Sequence, residues 1–138
     1  MALPAKLIAD YRAAHYAVFV EPELVIHIGE PNARLDALLE SARSGAAAYL
    51  TAANPRGRRR NALWNRAALL RLEKLLGKRR HRHREGEGRD PQGRWSAEPS
   101  FLVIGISRTQ AESLGRRFGQ NAIVYIEKGR APELVLLT

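Results

Sequence analysis

The side chains best suited to chemistry lie in three short polar segments. Thr51 and Asn54 follow one apolar run, Trp95, Glu98 and Ser100 lead into a second, and Gln120 with Asn121 leads into a third. Loops joined to strand ends are where α/β folds usually build ligand sites. Glu98 is the only carboxylate in these segments, which makes it the natural general acid or base. Arg56 and Asn61 lie near the start of a predicted helix, where either would hold an anionic group with help from the helix dipole. The competing reading is plainer: amides and hydroxyls at strand boundaries bond loop backbone and form a buried polar network that specifies the fold.

Other chemistries lack their residues. There is no cysteine, which excludes disulfides, thiolate metal ligands and a thiol nucleophile. No GxGxxG, GxxxxGK[ST] or GxSxG pattern occurs, so a standard nucleotide-dependent enzyme is disfavoured and no cofactor is expected. His81 and His83 sit two apart inside a cluster of arginines that would repel a cation, and His15 and His27 lie far from them in sequence. No metal site is expected.

Charge supplies a second kind of candidate. The formal net charge is +9, but arginine outnumbers lysine 19 to 4 beside 21 alanines, a bias that a GC-rich genome produces unaided. Its distribution says more. Residues 56–94 hold 14 of the 23 Lys and Arg against four acids, a local excess of ten, and the remainder of the chain is close to neutral. Arg58, Arg59 and Arg60 lie at the start of the predicted helix, and Lys78, Arg79, Arg80, Arg82 and Arg84 follow it. Such a concentration attracts phosphate backbones by counterion release without reading sequence. No aromatic residues interleave with these cations to stack bases, and a solvated surface loop is the alternative.

These residues need a scaffold, and the pattern supplies one. Residues 4–15 read as a short helix, and Tyr16–Val20 with Leu24–Ile28 as a β-hairpin. Asn32 caps a helix striped by Leu35, Leu38, Leu39 and Ala42. Ala46–Ala53 reads as a buried strand, and residues 60–76 as a long helix stopped by Gly77. Lys78–Arg94 is almost without apolar residues and carries Gly86, Gly88, Pro91 and Gly93, so an exposed basic loop is expected at about 78–94. Residues 100–106 are the clearest strand. Ser107 and Gln110 then form a capping box opening a helix, and Ala122–Ile126 with Glu133–Leu137 close the chain as a hairpin. Gly115 inside that last helix marks close packing on a sheet. The expected fold is one globular α/β (α+β) domain over residues 1–138, a mixed sheet of about six strands with about four helices packed on it.

The polar segments, taken together, are similar to a known family. Thr51-Ala-Ala-Asn54-Pro55-Arg56, Asn61, Trp95-Ser-Ala-Glu98-Pro99-Ser100-Phe101-Leu102-Val103-Ile104-Gly105-Ile106 and Arg117-Phe118-Gly119-Gln120-Asn121-Ala122-Ile123 resemble, in order, an uncharacterised bacterial domain of unknown function, family 3293. The likeness runs from Tyr11 to the C-terminal hairpin. It implies a small stand-alone bacterial protein and supplies no catalytic residue. It also makes Thr51, Asn54, Asn61, Trp95, Glu98, Ser100, Gln120 and Asn121 the better candidates for a shared pocket. The tract Lys78–Arg84 is more basic than the family pattern.

Three functional readings follow. The first is a non-enzymatic protein that engages a polyanion such as RNA, DNA or a nucleic-acid assembly through residues 56–84. The second is an enzyme or small-ligand binder whose pocket is lined by Asn54, Glu98, Gln120 and Asn121. The third is a protein-interaction module offering its C-terminal edge strand. No apolar run approaches the ~18–20 residues a bilayer needs, and no signal peptide opens the chain, so a cytoplasmic protein without a membrane partner is expected.

Overall fold

Local sequence accounts for most of the helices. Asn32 accepts a hydrogen bond from the Leu35 amide and opens α2 (Ala33–Ser41). Asn61 accepts from the Trp64 amide and opens α3 (Ala62–Lys78). Ser107 and Gln110 close a reciprocal capping box at the start of α4 (Arg108–Arg117). α1 (Ala5–Ala13) has no side-chain cap and buries no residue completely. These assignments come from a computed structural model that describes residues 2–137.

Seven strands form one sheet, β1 (His15–Val18), β2 (Leu24–Ile26), β3 (Ala46–Leu50), β4 (Arg82–Arg89), β5 (Glu98–Ile104), β6 (Ala122–Glu127) and β7 (Glu133–Leu136). Their order is β2-β1-β4-β5-β3-β6-β7, and every pairing is antiparallel. The α+β domain expected is present, with one strand more than expected and no parallel pair.

The extra strand corrects the largest misreading. Residues 78–94 are not an exposed loop. α3 continues through Gly77 to Lys78, and after a short turn β4 runs through the middle of the sheet. Arg82–Gly88 pairs with Ile104–Glu98 on one side, and Gly86–Arg89 with Val18–His15 on the other. The strand needs few apolar side chains because its contribution is its backbone ladder. Its polar side chains are individually accommodated: Arg89 is bonded by Glu23 and Glu87, and the His83 ring packs edge-on against Phe101. Gly86 is required, since a Cβ there would lie 2.0 Å from the Ala17 carbonyl oxygen.

The sheet separates two apolar layers. On one face α3 (Ala68, Leu72, Leu76) and α4 (Ala111, Leu114) pack against Ala48, Leu50, Phe101, Val103 and Tyr125. A Cβ at Gly115 would fall 2.6 Å from Leu137 Cδ1, the close approach its position in the helix suggests. On the other face Leu35 and Leu39 of α2 cover Val18, Leu102, Ile104, Val124 and Ile126. α1 lies over another part of that second face, facing Tyr16, Tyr49 and Val124, where the polar segments begin.

Candidate functional site

The chain leaving β3 makes the first wall. Thr51 donates its hydroxyl to the Pro99 carbonyl at 2.6 Å and accepts from the Ala53 amide at 3.0 Å, which turns the chain toward Asn54. Asn54 adopts a left-handed conformation (φ 46°) that few residues other than Asn and Gly tolerate. Its side chain is fully used. Oδ1 accepts from the Arg60 amide and from Asn65 Nδ2, both at 2.9 Å, and Nδ2 donates to Glu98 Oε2 at 2.6 Å. Asn65 Oδ1 in turn accepts from the Asn54 amide, so the two side chains lock the loop to the first turns of α3.

The entry to β5 makes the second wall. Ser100 donates to the Glu98 carbonyl, and Trp95 stands before the strand. Glu98 is half-buried. Burial pushes its carboxyl above the ordinary value of 4.5, against the opposing pull of the bond from Asn54. Its Oε1 has no hydrogen-bond partner among the described residues.

The entry to β6 makes the third. Gln120 donates to the carbonyls of Ala53 and Phe118, tying this loop to the first. Buried Asn121 donates from Nδ2 to the Tyr11 hydroxyl at 3.3 Å, which joins α1 to the sheet. Tyr16 donates its hydroxyl to the Tyr11 carbonyl, and Tyr49 donates to the Ala17 carbonyl. The Tyr11 hydroxyl therefore receives a bond and keeps its own proton free of any described acceptor. Burial raises Tyr11, Tyr16 and Tyr49 above their ordinary value, so all three are neutral at physiological pH.

Together these walls enclose a cavity of about 320 Å³ between α1 and the sheet. Thr51, Asn54, Trp95, Glu98, Ser100, Gln120 and Asn121 all line it. Leu7, Val124 and Leu134 give it an apolar side, and the exposed Arg59 and Arg94 stand at its rim. Arg94 is held by Asp10 and Asp90, whereas Arg59 pairs with no acid among the described residues. Gly88 of β4 forms part of the floor. It is buried, yet a Cβ built on it would meet no heavy atom within 4 Å. The open space reaches down to the strand backbone.

Two pocket candidates lie elsewhere. Arg56 is exposed with φ 58°, and its amide donates to the Gly119 carbonyl. Asn61 spends its side chain on the α3 cap and faces a neighbouring groove of about 740 Å³ beside Arg60, Arg66 and Phe19. The sequence reading missed Asn65, Tyr11, Tyr16, Tyr49 and Gly88, which reach the site from other elements.

The basic candidates do not form one cluster. Arg58, Arg59 and Arg60 precede α3, and Lys78, Arg79 and Arg80 end it, about 24 Å away for 17 helical residues. Arg82 and Arg84 stand opposite Ile104 and Leu102, on the sheet face that α2 covers, and Arg82 donates to the Ala42 carbonyl there. The sheet thus lies between these two arginines and α3. Among the described residues no group of three or more His, Asp or Glu side chains could hold a metal ion, and no helix is long and apolar enough to cross a membrane.

Comparison with known proteins agrees with the motif reading. The model of a family described as protein of unknown function (DUF3293) matches residues 50–123, more than half of the chain. That stretch begins where β3 ends, contains the three polar segments that line the cavity, and stops at the start of β6. Searches of curated proteins and of solved structures returned no match. The chain whose three polar segments meet at this cavity belongs to the DUF3293 family.

Proposed function

We propose that this protein binds a small polar organic molecule in the cavity beneath α1, with Glu98 as the group that meets the ligand's N–H or O–H and exchanges a proton with it. One observation carries the reading: residues from three separate segments converge on one unfilled space that extends to the backbone of Gly88. A purely structural polar network would have closed on itself. Asn54 and Gln120 do spend their side chains on holding the loops, but Glu98 Oε1 and the Tyr11 proton are left for an occupant. The aromatic and aliphatic lining suits the apolar body of such a molecule, and the raised carboxyl suits proton transfer nearer neutrality than an ordinary glutamate.

The test is thermal stabilisation by a panel of small polar metabolites. A ligand present at a hundred times its Kd stabilises by about 2.7 kcal/mol. That is roughly 8–10 °C in Tm for a chain of this length. Glu98→Gln and Gly88→Val, which alter the wall and the floor separately, should each remove the stabilisation while keeping a cooperative melt. Stabilisation that survives both substitutions would place the ligand elsewhere and end the proposal.

A further inference from the structure

A second concave surface lies on the opposite face of the sheet, between α3 and the end of α4. Trp64, Leu75 and Phe118 form its floor, and Arg71, Lys74, Lys78 and Arg117 stand around it. No acidic side chain lines it. All four cations are exposed, and none pairs with an acid among the described residues. The nearby acids are committed elsewhere: Glu73 faces His83 of β4, and Glu112 is held by Arg108 and Arg116.

We propose that this α3–α4 groove binds a short stretch of single-stranded nucleic acid, its phosphates on Arg71, Lys74, Lys78 and Arg117 and its bases against Trp64 and Phe118. The helix spacing sets the geometry. Arg71, Lys74 and Lys78 fall at i, i+3 and i+7, a row on one side of α3, and Trp64 continues it by two further turns. From Trp64 to Lys78 the row is about 21 Å long, room for about four extended nucleotides. Arg117 faces the row from α4, so the cations flank the aromatic floor on both sides.

The sequence hides this arrangement. Along the chain the cations have no interleaved aromatic residues, but folding brings Phe118 to them from forty residues away. A duplex presents no base faces to such a floor. An acidic peptide would use the cations and leave the aromatic side chains idle. Arg60 already rests over the Trp64 ring at 4.9 Å, so that ring can sit beside a cation. Of the residues named from sequence for a polyanion, only Lys78 lies in this groove.

Fluorescence anisotropy with a 5′-labelled mixed-sequence 12-mer, as DNA and as RNA, tests the proposal on the full chain. Four phosphate contacts predict that log K falls against log salt with a slope of about −3 for a single strand. The quadruple variant Arg71→Gln, Lys74→Gln, Lys78→Gln, Arg117→Gln should lose at least about tenfold in affinity at low salt and most of that slope. A control removing the same charge away from the groove (Lys6→Gln, Arg12→Gln, Arg43→Gln, Arg130→Gln) should keep both. Phe118→Leu should weaken binding about tenfold without changing the slope, because stacking carries no counterions. In a Trp95→Phe background, quenching of Trp64 fluorescence by the oligonucleotide reports stacking directly, whatever Phe118→Leu does to the fold. Glu98→Gln and Gly88→Val should leave this binding intact, which separates it from the cavity. No binding at low salt, equal losses in the two quadruple variants, tighter binding of a 12-bp duplex, or equal competition by polyglutamate would each overturn the proposal.

Discussion

Gly86 and Gly88 lie two residues apart on β4, so they point to the same face of the sheet. A side chain at each meets opposite surroundings. At Gly88 an added Cβ has no heavy atom within 4 Å, and the backbone there does not have a positive φ. Valine should therefore fit, remove the flexibility of glycine from the unfolded chain, and favour the strand. These effects together are worth about 1 kcal/mol. For 138 residues that is a rise of roughly 3–4 °C in Tm. If the space were occupied by packed side chains, the same valine would overpack the site at a cost of about 1–3 kcal/mol, and Tm would fall by roughly 4–10 °C. At Gly86 the added Cβ lies 2.0 Å from the Ala17 carbonyl oxygen and 3.0 Å from the Tyr49 hydroxyl, so β1 and β4 must part. Gly86→Ala should cost at least about 2 kcal/mol. Differential scanning calorimetry of the two variants reads the signs directly. A Gly88→Val protein that melts below the wild type would refute the cavity and with it the binding function built on it.

The carboxyl of Glu98 has a folded-state value above its ordinary 4.5, so unfolding releases its proton between the two values. Wild-type stability relative to Glu98→Gln should accordingly be constant below about pH 4.5 and decline as pH rises through the folded value, which urea midpoints across pH 4–8 would resolve; a relative stability that falls on acidification would contradict it. Asn54→Ala should cost roughly 3 kcal/mol, since it removes the Asn65, Glu98 and Arg60 bonds and puts alanine in a left-handed conformation. Asn54→Gly should recover about 1 kcal/mol of that by relieving the backbone alone, as read in the same denaturation series. Gly115→Ala should destabilise by about 1–2 kcal/mol, its contact with Leu137 and Ile123 outweighing the better helix propensity, and Leu137→Ala in the same chain should lessen the effect.

What was legible in the sequence was local. Asn32, Asn61 and the Ser107–Gln110 pair announce helix starts because each bonds an amide three residues away. The hairpins β1–β2 and β6–β7 are legible because a short turn joins strands with alternating or continuous apolar residues. β4 was not, because its residues lack the apolar pattern of a buried strand and one of its two partners, β1, lies some seventy residues earlier in the chain. Its glycines read as loop punctuation, although one is demanded by the Ala17 carbonyl and the other leaves the cavity floor open. The polar segments could be named, since motif and strand boundary coincide. Their tyrosine partners could not, for Tyr11 meets Asn121 across 110 residues. Arg82 and Arg84 show the same limit in another form. They lie close to Arg79 and Arg80 in sequence, but a strand's alternation sends them to the α2 face.

The strand order divides the sheet into parts with different histories. β5, β3, β6 and β7 are linked to one another and carry α3 and α4, whereas β2 and β1 join the ladder of strand pairs through β4, some seventy residues later in the chain. α1 joins this N-terminal unit with no completely buried residue of its own. Closing so long a loop comes late in folding and is undone first in the native state. Amides of α1 and β2 should therefore exchange with solvent well ahead of those in β3 and β5. The cavity lies along the boundary between the two units, with Tyr11 and Tyr16 on one side and Asn54, Glu98 and Asn121 on the other. A molecule that enters by loosening the N-terminal unit would then hold it shut, and the slowing of exchange in α1 would measure its occupancy.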